Sequence, residues 1–412
     1  MKSPRRPIPW RVAVDCMDKI MFSTEALLRG NAPTNIVLES FVSECTQRSV
    51  DWSSPEEGQR AFAGLVQTAV IGGSRPSSDG VGRHHYPRAF PPPGMYLRSL
   101  LKRYTSMLEQ KGGVEVEDND LADAMASYAF GSANRRGSAA PVGPAAGDGA
   151  PNPNDSGYSS YRLPDGGLVG IRVHPHHNDL GVRKVWEAGA ALAEYLLAHP
   201  EHVDDRIVVE LGAGVGLTGI VVSGMCHPRR VHMTDLTQDC LSNMEHNIEV
   251  NGDWLAERGV NNDNFNDDAE EEGQRCCTCG YLDWEQFADE GTPVDLSLKY
   301  GAVRISDADV LLAADVVYDW KAIPDLVRTT RRLLLQPNAV ATSARKAIFA
   351  TTYRNKETFD FFECELQKGG ISCDYVPKEE MDSLDRIFPC YFIQAREEVR
   401  ICTMSIAATS PC

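Results

Sequence analysis

Residues 208–221 read VVELGAGVGLTGIV, an apolar run that breaks into closely spaced glycines and then resumes. Glycine lets the backbone turn sharply and approach a ligand closely. Read from Gly214, the spacing Gly-x-Gly-x-x-Gly fits the fingerprint of NAD and FAD proteins. Read from Glu210, the spacing Glu-x-Gly-x-Gly-x-Gly is the form used where S-adenosylmethionine lies across a strand end. The glycines alone leave both ligands open.

Strand-like and helix-like patterns alternate on both sides of this stretch. The segments with strand-like patterns are 206–212, 229–235, 279–284, 307–319, 346–353, 371–376 and 398–406, with amphipathic helical patterns between most of them. Strands that alternate with helices indicate a mostly parallel sheet with helices on both faces. The predicted fold is therefore α/β and Rossmann-like, with seven strands.

The composition divides the chain into three regions. Residues 1–130 space their apolar side chains by three and four, which predicts an N-terminal helical region. Residues 131–160 are rich in Gly, Ala, Pro, Ser and Asn, which predicts a disordered linker. Residues 161–412 hold the α/β pattern, interrupted near 255–275 by an acidic run that predicts a disordered insertion.

Composition and charge exclude several classes of protein. A chain of 412 residues with 42% hydrophobic and 24% charged residues is typical of soluble globular proteins, and its net charge of −17 argues against a broad surface for nucleic acid. The twelve cysteines show no disulfide-like rhythm, and we find neither a secretory signal nor a membrane-spanning stretch, so a cytoplasmic protein is expected. The cysteines of CCTC (276–279) lack a second pair at zinc spacing, so we predict no metal site and interpret them as loop thiols.

Polar residues follow the predicted strands at the edge where open parallel sheets bind ligands. Asp235 ends the second strand, where a carboxylate can accept hydrogen bonds from both ribose hydroxyls, or can cap the next helix. Asp283 and Trp284 follow the third strand and suit the amine and ring of an adenine, although the aromatic side chain could equally close the core. These residues favour a nucleoside ligand.

The first and fourth strands complete the candidate site. The residues that follow the first strand toward the ligand are Glu210, Gly212, Gly214 and Gly216. Asp315 follows a fully apolar fourth strand, and Tyr318 lies three residues on, where one helical turn would place it beside Asp315.

The motifs VWEAGAALAEYL, VVELGAGVGLTGIV, NIEVNG, LDW and DVLLAADVVYD together resemble the seven-β-strand protein-lysine methyltransferases of methyltransferase family 16. Residues 347–376 and 86–104 look like the elongation factor 2 lysine methyltransferases of that family. The resemblance implies methyl transfer from S-adenosylmethionine to a lysine of a protein substrate, with elongation factor 2 as the expected partner. It also implies a donor pocket lined by Trp186, Glu210, Gly212, Gly214, Asp235, Asp283, Trp284 and Ala314. Asp315 and Tyr318 would face the incoming lysine.

Other functions remain open at the level of sequence. The chain could be an adaptor that keeps this fold with little turnover, a methyltransferase acting on a small molecule, or a nicotinamide dehydrogenase. A dehydrogenase would explain the glycines and Asp235 but would leave the motifs LDW (282–284) and AADVVYD (313–319) without a role. The N-terminal helices fit either a substrate-recognition module or a structural cap on the sheet, and a monomer is the default expectation.

Overall fold

The computed structural model describes residues 24–32, 34–71, 90, 92–111, 114–128, 156–261, 275–289, 305–336, 345–389 and 393–407. In chain order the helices are α1 (Thr24–Arg29), α2 (Thr34–Gln47), α3 (Arg60–Ile71), α4 (Gly94–Gln110), α5 (Asn119–Tyr128), α6 (Glu187–Ala198), α7 (Leu217–Met225), α8 (Gln238–Val250), α9 (Gly252–Ala256), α10 (Trp284–Ala288), α11 (Ile323–Leu334), α12 (Lys356–Lys368), α13 (Lys378–Ser383) and α14 (Ile393–Glu397). The strands are β1 (Gly157–Arg162), β2 (Leu168–Val173), β3 (Ile207–Leu211), β4 (Arg230–Asp235), β5 (Val260–Asn261), β6 (Arg275–Tyr281), β7 (Val310–Ala314), β8 (Lys346–Thr352), β9 (Ile371–Tyr375) and β10 (Val399–Ile406).

The α/β region is built on one sheet with the strand order β5-β6-β4-β3-β7-β8-β10-β9. Neighbouring strands are parallel from β5 to β8, whereas β10 pairs antiparallel with both β8 and β9. The predicted Rossmann-like sheet of seven strands is confirmed. The two-residue strand β5 adds an eighth at the edge, and it is too short to show a periodic pattern in the sequence.

The central strand β3 is buried on both faces. Val208 packs into the apolar cluster on one face of the sheet, and its neighbour Val209 packs into the cluster on the other face. Successive side chains of a strand point to opposite faces, so a strand with consecutive apolar residues must be covered on both sides. Because β3 is buried in the interior of the sheet, its carboxyl end lies in the middle of the sheet edge at which open parallel sheets bind ligands.

The N-terminal helices have a core of their own, in which the rings of Phe62 and Tyr104 stack with centroids 3.9 Å apart. Ser54 caps a helical turn of this region, because its Oγ accepts hydrogen bonds from the amides of Glu57 and Gly58 at 3.3 Å. The cap opens a π-helical turn that continues into α3.

A hairpin joins this helical core to the α/β region. Strands β1 and β2 pair antiparallel, and Asn31 Nδ2 donates to Ser159 Oγ at 2.7 Å and to the carbonyl oxygen of Tyr158 at 3.2 Å. The predicted linker over 131–160 is thus wrong at its end, because residues 157–160 belong to β1. Their glycine and serines resemble a linker in composition, but in the fold these residues pair with β2, and Ser159 and Ser160 are buried. The rest of the linker lies outside the described residues.

The predicted insertion near 255–275 is also narrower than expected. Residues 252–256 form α9, and Val260–Asn261 form the edge strand β5, while Arg275 already belongs to β6. The acidic residues between them lie outside the described residues. Across the part of the chain that is described, none of the helices combines the length and apolar composition needed to cross a bilayer.

Candidate functional site

A cleft of about 510 Å³ lies beyond the carboxyl ends of the parallel strands. The predicted site residues that line it are Trp186, Glu210, Gly212, Gly214, Asp235, Asp283, Trp284, Ala314, Asp315 and Tyr318. Gly216 does not line the cleft. It takes φ +81° just before α7, and a β-carbon there would meet the side chains of Met233 and Met244. Gly216 therefore serves the turn and its packing.

Two glycines form the floor of the cleft with bare backbone. Gly212 has φ +66°, and a β-carbon on it would lie 2.8 Å from Val316 and 3.2 Å from the Trp284 ring. Gly214 has φ +57°, and its β-carbon would lie 2.9 Å from the carbonyl oxygen of Gly181. Both the left-handed backbone and the lack of space require glycine at these positions.

Asp235 is held by the glycine turn itself. Its Oδ2 accepts from the Gly214 amide at 2.9 Å, and its Oδ1 accepts from the Leu236 amide at 2.8 Å. Burial raises the pKa of Asp235, although these hydrogen bonds oppose the shift. The alternative role as a helix cap is wrong, because Thr237 Oγ1 caps α8 by accepting from the Cys240 amide at 3.2 Å.

Asp283 and Trp284 fulfil structural roles and also line the cleft. Asp283 Oδ1 caps α10 by accepting from the Glu285 amide at 2.9 Å, while Oδ2 lies 3.4 Å from the hydroxyl of Tyr281. The Trp284 ring packs against the core and beside Gly212. Trp284 therefore does both: it packs against the core and it lines the cleft.

The backbone amides of the glycine turn that a pyrophosphate would need are already hydrogen-bonded within the protein. A dinucleotide would need free amides at the glycine turn, yet the Gly214 amide donates to Asp235 and the Gly216 amide donates to the carbonyl of Ala213 at 2.9 Å. Glu210 lies buried directly below, and its Oε2 has no hydrogen-bond partner among the described residues. The Asp235 carboxylate beside the turn favours a cationic or neutral ligand over phosphate.

Burial dominates the chemistry of Glu210. Loss of solvent raises the pKa of Glu210 to about 8, in spite of hydrogen bonds from Thr218 and from the Gly219 amide. A β-carbon on Gly219 would lie 2.9 Å from Glu210 Oε2, so the side chain is closely confined from that side. Glu210 is thus a buried, largely protonated group beneath the cleft at neutral pH.

Asp315 stands at the other half of the cleft with φ +53°, and its side chain is 5% exposed. Its Oδ1 accepts from the Thr352 amide at 2.9 Å, and its Oδ2 accepts from Thr352 Oγ1 at 3.0 Å and from the Ala188 amide at 3.3 Å. Tyr318 is 64% exposed at the mouth. The predicted helical turn between the two is wrong, because a bent loop follows β7 and α11 begins only at Ile323.

Trp186 borders the cleft from the start of α6, as the sequence predicts. Its Nε1 donates to the carbonyl of Leu180 at 3.1 Å. Lys184 Nζ lies 4.4 Å from the ring centroid, and Arg354 Cζ lies 5.2 Å from it. Both distances are within the range of cation–π attraction.

The sequence-based prediction missed part of the lining, notably Asp179, Thr237, Cys240 and Arg354. Arg354 could have been found, because it follows β8 at the same sheet edge as Asp315 follows β7. Asp179 lies in a loop without periodic pattern, and its Oδ2 accepts from Thr237 Oγ1 at 2.5 Å. Only the tertiary fold shows that contact.

The CCTC cysteines are not in a loop, which corrects the sequence interpretation. They lie on β6, where burial raises the pKa of Cys277 and of Cys279 to about 12. The residues that the structure describes contain no cluster of His, Cys, Asp and Glu that could hold a metal ion.

Comparison with known proteins finds similar chains among the lysine methyltransferases. The family model described as "Lysine methyltransferase" matches residues 169–272. Protein-lysine N-methyltransferase EEF2KMT of Homo sapiens is 32% identical over 235 residues, which cover 57% of this chain and 63% of that protein. The Mus musculus protein of the same name is 31% identical over 53% of this chain and 59% of that protein.

A third relative covers more of the chain. Protein-lysine N-methyltransferase EFM3 of Chaetomium thermophilum is 24% identical over 310 residues, 68% of this chain and 75% of that protein. The chain spans about three fifths of the length of the two mammalian relatives. The resemblance stated from the motifs is confirmed: the chain is similar to the EEF2KMT protein-lysine methyltransferases.

Proposed function

We propose that this chain is an S-adenosylmethionine-dependent protein-lysine N-methyltransferase and that elongation factor 2 is its substrate. The observation that carries the proposal is the cleft, where a bare glycine floor and the carboxylates of Asp235 and Asp283 adjoin Asp315 and Tyr318. The names of the relatives support the reaction class. The resemblance of residues 86–104 and 347–376 to elongation factor 2 lysine methyltransferases supports the substrate.

The residues of the cleft fit the donor. Asp235 can accept from ribose hydroxyls, and Asp283 can accept from an adenine amine. Gly212 and Gly214 allow close approach of the ligand to the backbone. Trp186, Trp284 and Ala314 add apolar surface. When bound, S-adenosylmethionine supplies a methyl group activated by its positive sulfur, so the protein needs neither a metal nor a strong acid.

The protein's task is to present a neutral lysine amine in line with that methyl group. The nitrogen lone pair forms the new N–C bond, the C–S bond breaks with its electron pair left on sulfur, and water takes the proton that the lysine loses. Correct orientation alone contributes about 7–11 kcal/mol. In this proposal Asp315 positions the amine and Tyr318 forms a wall of the lysine channel, and neither acts as a strong base.

The proposal places the protein in the cytoplasm as a monomer, with the N-terminal helical region contributing to recognition of the substrate. The helical region is attached to the α/β region through Asn31 and the β1–β2 hairpin. It therefore has a defined attachment to the domain that holds the cleft.

The test is to incubate the full chain with methyl-labelled S-adenosylmethionine and purified elongation factor 2, alongside the Asp315→Asn variant. We expect label on a lysine of elongation factor 2 with the wild type, and at least a hundredfold less with the variant. Donor affinity, measured by calorimetry, should be similar in both.

Other outcomes would overturn parts of the proposal. Label on a different protein of a cell lysate would remove elongation factor 2 but keep the reaction class. A labelled small molecule would indicate a metabolite substrate. Donor binding without any labelled product would indicate an adaptor.

A further inference from the structure

Arg354 lies beside the residues proposed to receive the lysine. Its Nη2 is 3.1 Å from Glu187 Oε2 and 3.3 Å from Asp315 Oδ2. The side chain is 42% exposed and lines the cleft, and its guanidinium lies near the Trp186 ring. A cation therefore already occupies the acidic and aromatic corner where a lysine ammonium would be expected to bind.

The charges at this corner cancel. Glu187 is fully buried, and its Oε1 lies 2.6 Å from Lys184 Nζ. Two carboxylates, those of Glu187 and Asp315, thus face two cations, Lys184 and Arg354. Because Asp315 also accepts from Thr352 and the Ala188 amide, its acceptor positions are largely taken.

This arrangement matters for the proton on the incoming lysine. A free lysine has a pKa of roughly 10.4, so it arrives mostly as an ammonium without a lone pair. An uncompensated carboxylate nearby would stabilise the ammonium and hold the pKa high, whereas a neighbouring cation favours the neutral amine. Asp315 alone would therefore oppose the reaction that it is placed to serve.

We propose that Arg354 is a positioning residue that neutralises Asp315 and so keeps the acceptor lysine in its neutral, nucleophilic form. The inference rests on the proposed lysine methyltransferase function. Arg354 acts through Asp315, which it fixes and neutralises. The substrate ammonium loses its proton to water before the N–C bond forms.

The charged groups that face Arg354 are Glu187 from α6 and Asp315 from the loop after β7, with Lys184 behind Glu187. Tyr318 and Lys321 stand at the same mouth. Glu210, whose pKa is about 8, also titrates within the pH range of the experiment described next. Because these groups remain in an Arg354 variant, the difference between variant and wild type isolates the arginine.

The experiment compares Arg354→Gln and Arg354→Lys with the wild-type full chain, using elongation factor 2 and labelled S-adenosylmethionine from pH 6.5 to 10. For Arg354→Gln we expect kcat to fall about tenfold at pH 7.5 and to recover at high pH, since one unit in the lysine pKa is a factor of ten. KM for the protein substrate should stay the same or fall, because loss of the arginine leaves a net negative charge beside Asp315 that attracts the lysine ammonium. Arg354→Lys should restore most of kcat at pH 7.5.

Two measurements besides turnover complete the design. Calorimetry should give a donor Kd within about twofold of wild type for Arg354→Gln, since a tenfold change corresponds to a whole lost interaction. Affinity for elongation factor 2, measured with S-adenosylhomocysteine present, should hold or tighten at pH 7.5.

Other results would overturn the inference. A loss of kcat in Arg354→Gln that is equal at every pH, or an Arg354→Lys variant as slow as the Gln variant, would make the arginine structural. A large loss of donor affinity would assign it to the donor pocket. Wild-type protein that methylates no protein would overturn the proposed function and this inference with it, whereas active wild type with an unshifted variant profile would overturn the inference alone.

Discussion

Helix α6 carries two buried glutamates, Glu187 and Glu194, and each one pairs with an arginine from the C-terminal part of the chain. Glu194 Oε2 accepts from Arg396 at 2.5 and 3.2 Å, while its Oε1 accepts from the amides of Ile387 and Phe388 at 2.8 and 3.0 Å. Both side chains of this pair are almost fully buried. Every strong acceptor position of Glu194 is filled, and solvent does not reach the pair.

The pair of Glu187 with Arg354 differs in its exposure and in the number of its partners. Arg354 is half-exposed in the cleft and is shared between Glu187 and Asp315. A cation that divides its contacts between two carboxylates and faces a ligand site can respond to what binds there. The sealed pair at Glu194 has no such freedom, so the comparison separates charges that hold the fold from charges that can act on a ligand.

The largest stability effect is expected at the sealed pair. Glu194→Gln removes the charge that compensates buried Arg396, and breaking a buried pair by removing one partner costs about 3–5 kcal/mol. The free energy of unfolding from urea titration measures this loss. Lys356→Ala, which removes an exposed pair with Asp360, is the control and should leave the free energy of unfolding nearly unchanged.

A different result at Glu194 would break the comparison. If Glu194→Gln kept its stability but changed the pH dependence of methyl transfer, the sealed pair would be coupled to the cleft. The distinction between the two arginines would then be wrong.

The next largest effect is expected on donor affinity at Asp235, a cleft carboxylate that forms no ion pair among the described residues. Asp235→Ala should weaken donor binding by roughly 10- to 150-fold, because hydrogen bonds to a charged group contribute about 1.5–3 kcal/mol. Isothermal calorimetry with S-adenosylmethionine measures it. Asp239→Ala on the exposed face of α8 is the matched control, and equal losses in both variants would argue against Asp235 as a donor ligand.

The strand-end residues of the cleft, including Asp235 and Asp315, were predictable from sequence, whereas the ion pairs of Arg354 were not. Gly212, Gly214, Asp235 and Asp283 each follow a strand with a clear apolar pattern, so the rule that ligands bind at strand ends locates them. The mostly parallel sheet was predicted from the same alternation of strands and helices. Gly216 belongs to the same motif, yet its packing against Met233 is set by the fold.

The charge network, by contrast, depends on contacts between residues far apart in the chain. Arg354 and Glu187 are 167 residues apart, and Arg354 and Asp315 are 39 residues apart. Local patterns carry no information on such pairs, because the periodicity of strands and helices does not show which distant side chains meet in the fold. The bent loop that exposes Tyr318 was also missed, since three-residue spacing fits a helical turn equally well.

Glu210 offers a third kind of buried glutamate, without an arginine among the contacts described, and it predicts a pH dependence of stability. Its pKa is near 4.5 in the unfolded chain and about 8 when folded, so the folded state holds a proton that the unfolded state loses between these values. This contribution to stability is fully present below pH 4.5 and declines as the pH rises to 8, by about 1.4 kcal/mol per pH unit.

The Glu210→Gln variant tests this contribution, because its neutral side chain does not titrate. Urea unfolding at several pH values between 5 and 8 should show a shallower decline of stability than in the wild type. Identical slopes in the two proteins would mean that Glu210 is charged and compensated in the fold, as Glu194 is.

The smallest effect is expected where a buried polar contact carries no charge and lies in the N-terminal helical core. Tyr104 is fully buried, and its hydroxyl donates to the carbonyl oxygen of Trp52 at 2.7 Å. Tyr104→Phe keeps the stacked ring and should lower the free energy of unfolding by about 1 kcal/mol, since a neutral hydrogen bond contributes about 0.5–1.5 kcal/mol. Tyr375→Phe, whose hydroxyl contacts Glu363 at the surface, is the control with little change expected.

Donor affinity should be untouched in both variants, because Tyr104 belongs to the core of the N-terminal helices and Tyr375 lies on strand β9 away from the cleft lining. A loss at Tyr104 as large as that at Glu194 would show that burial itself, and not the uncompensated charge, sets the penalty in this protein, and the contrast between its two arginine pairs would then rest on exposure alone.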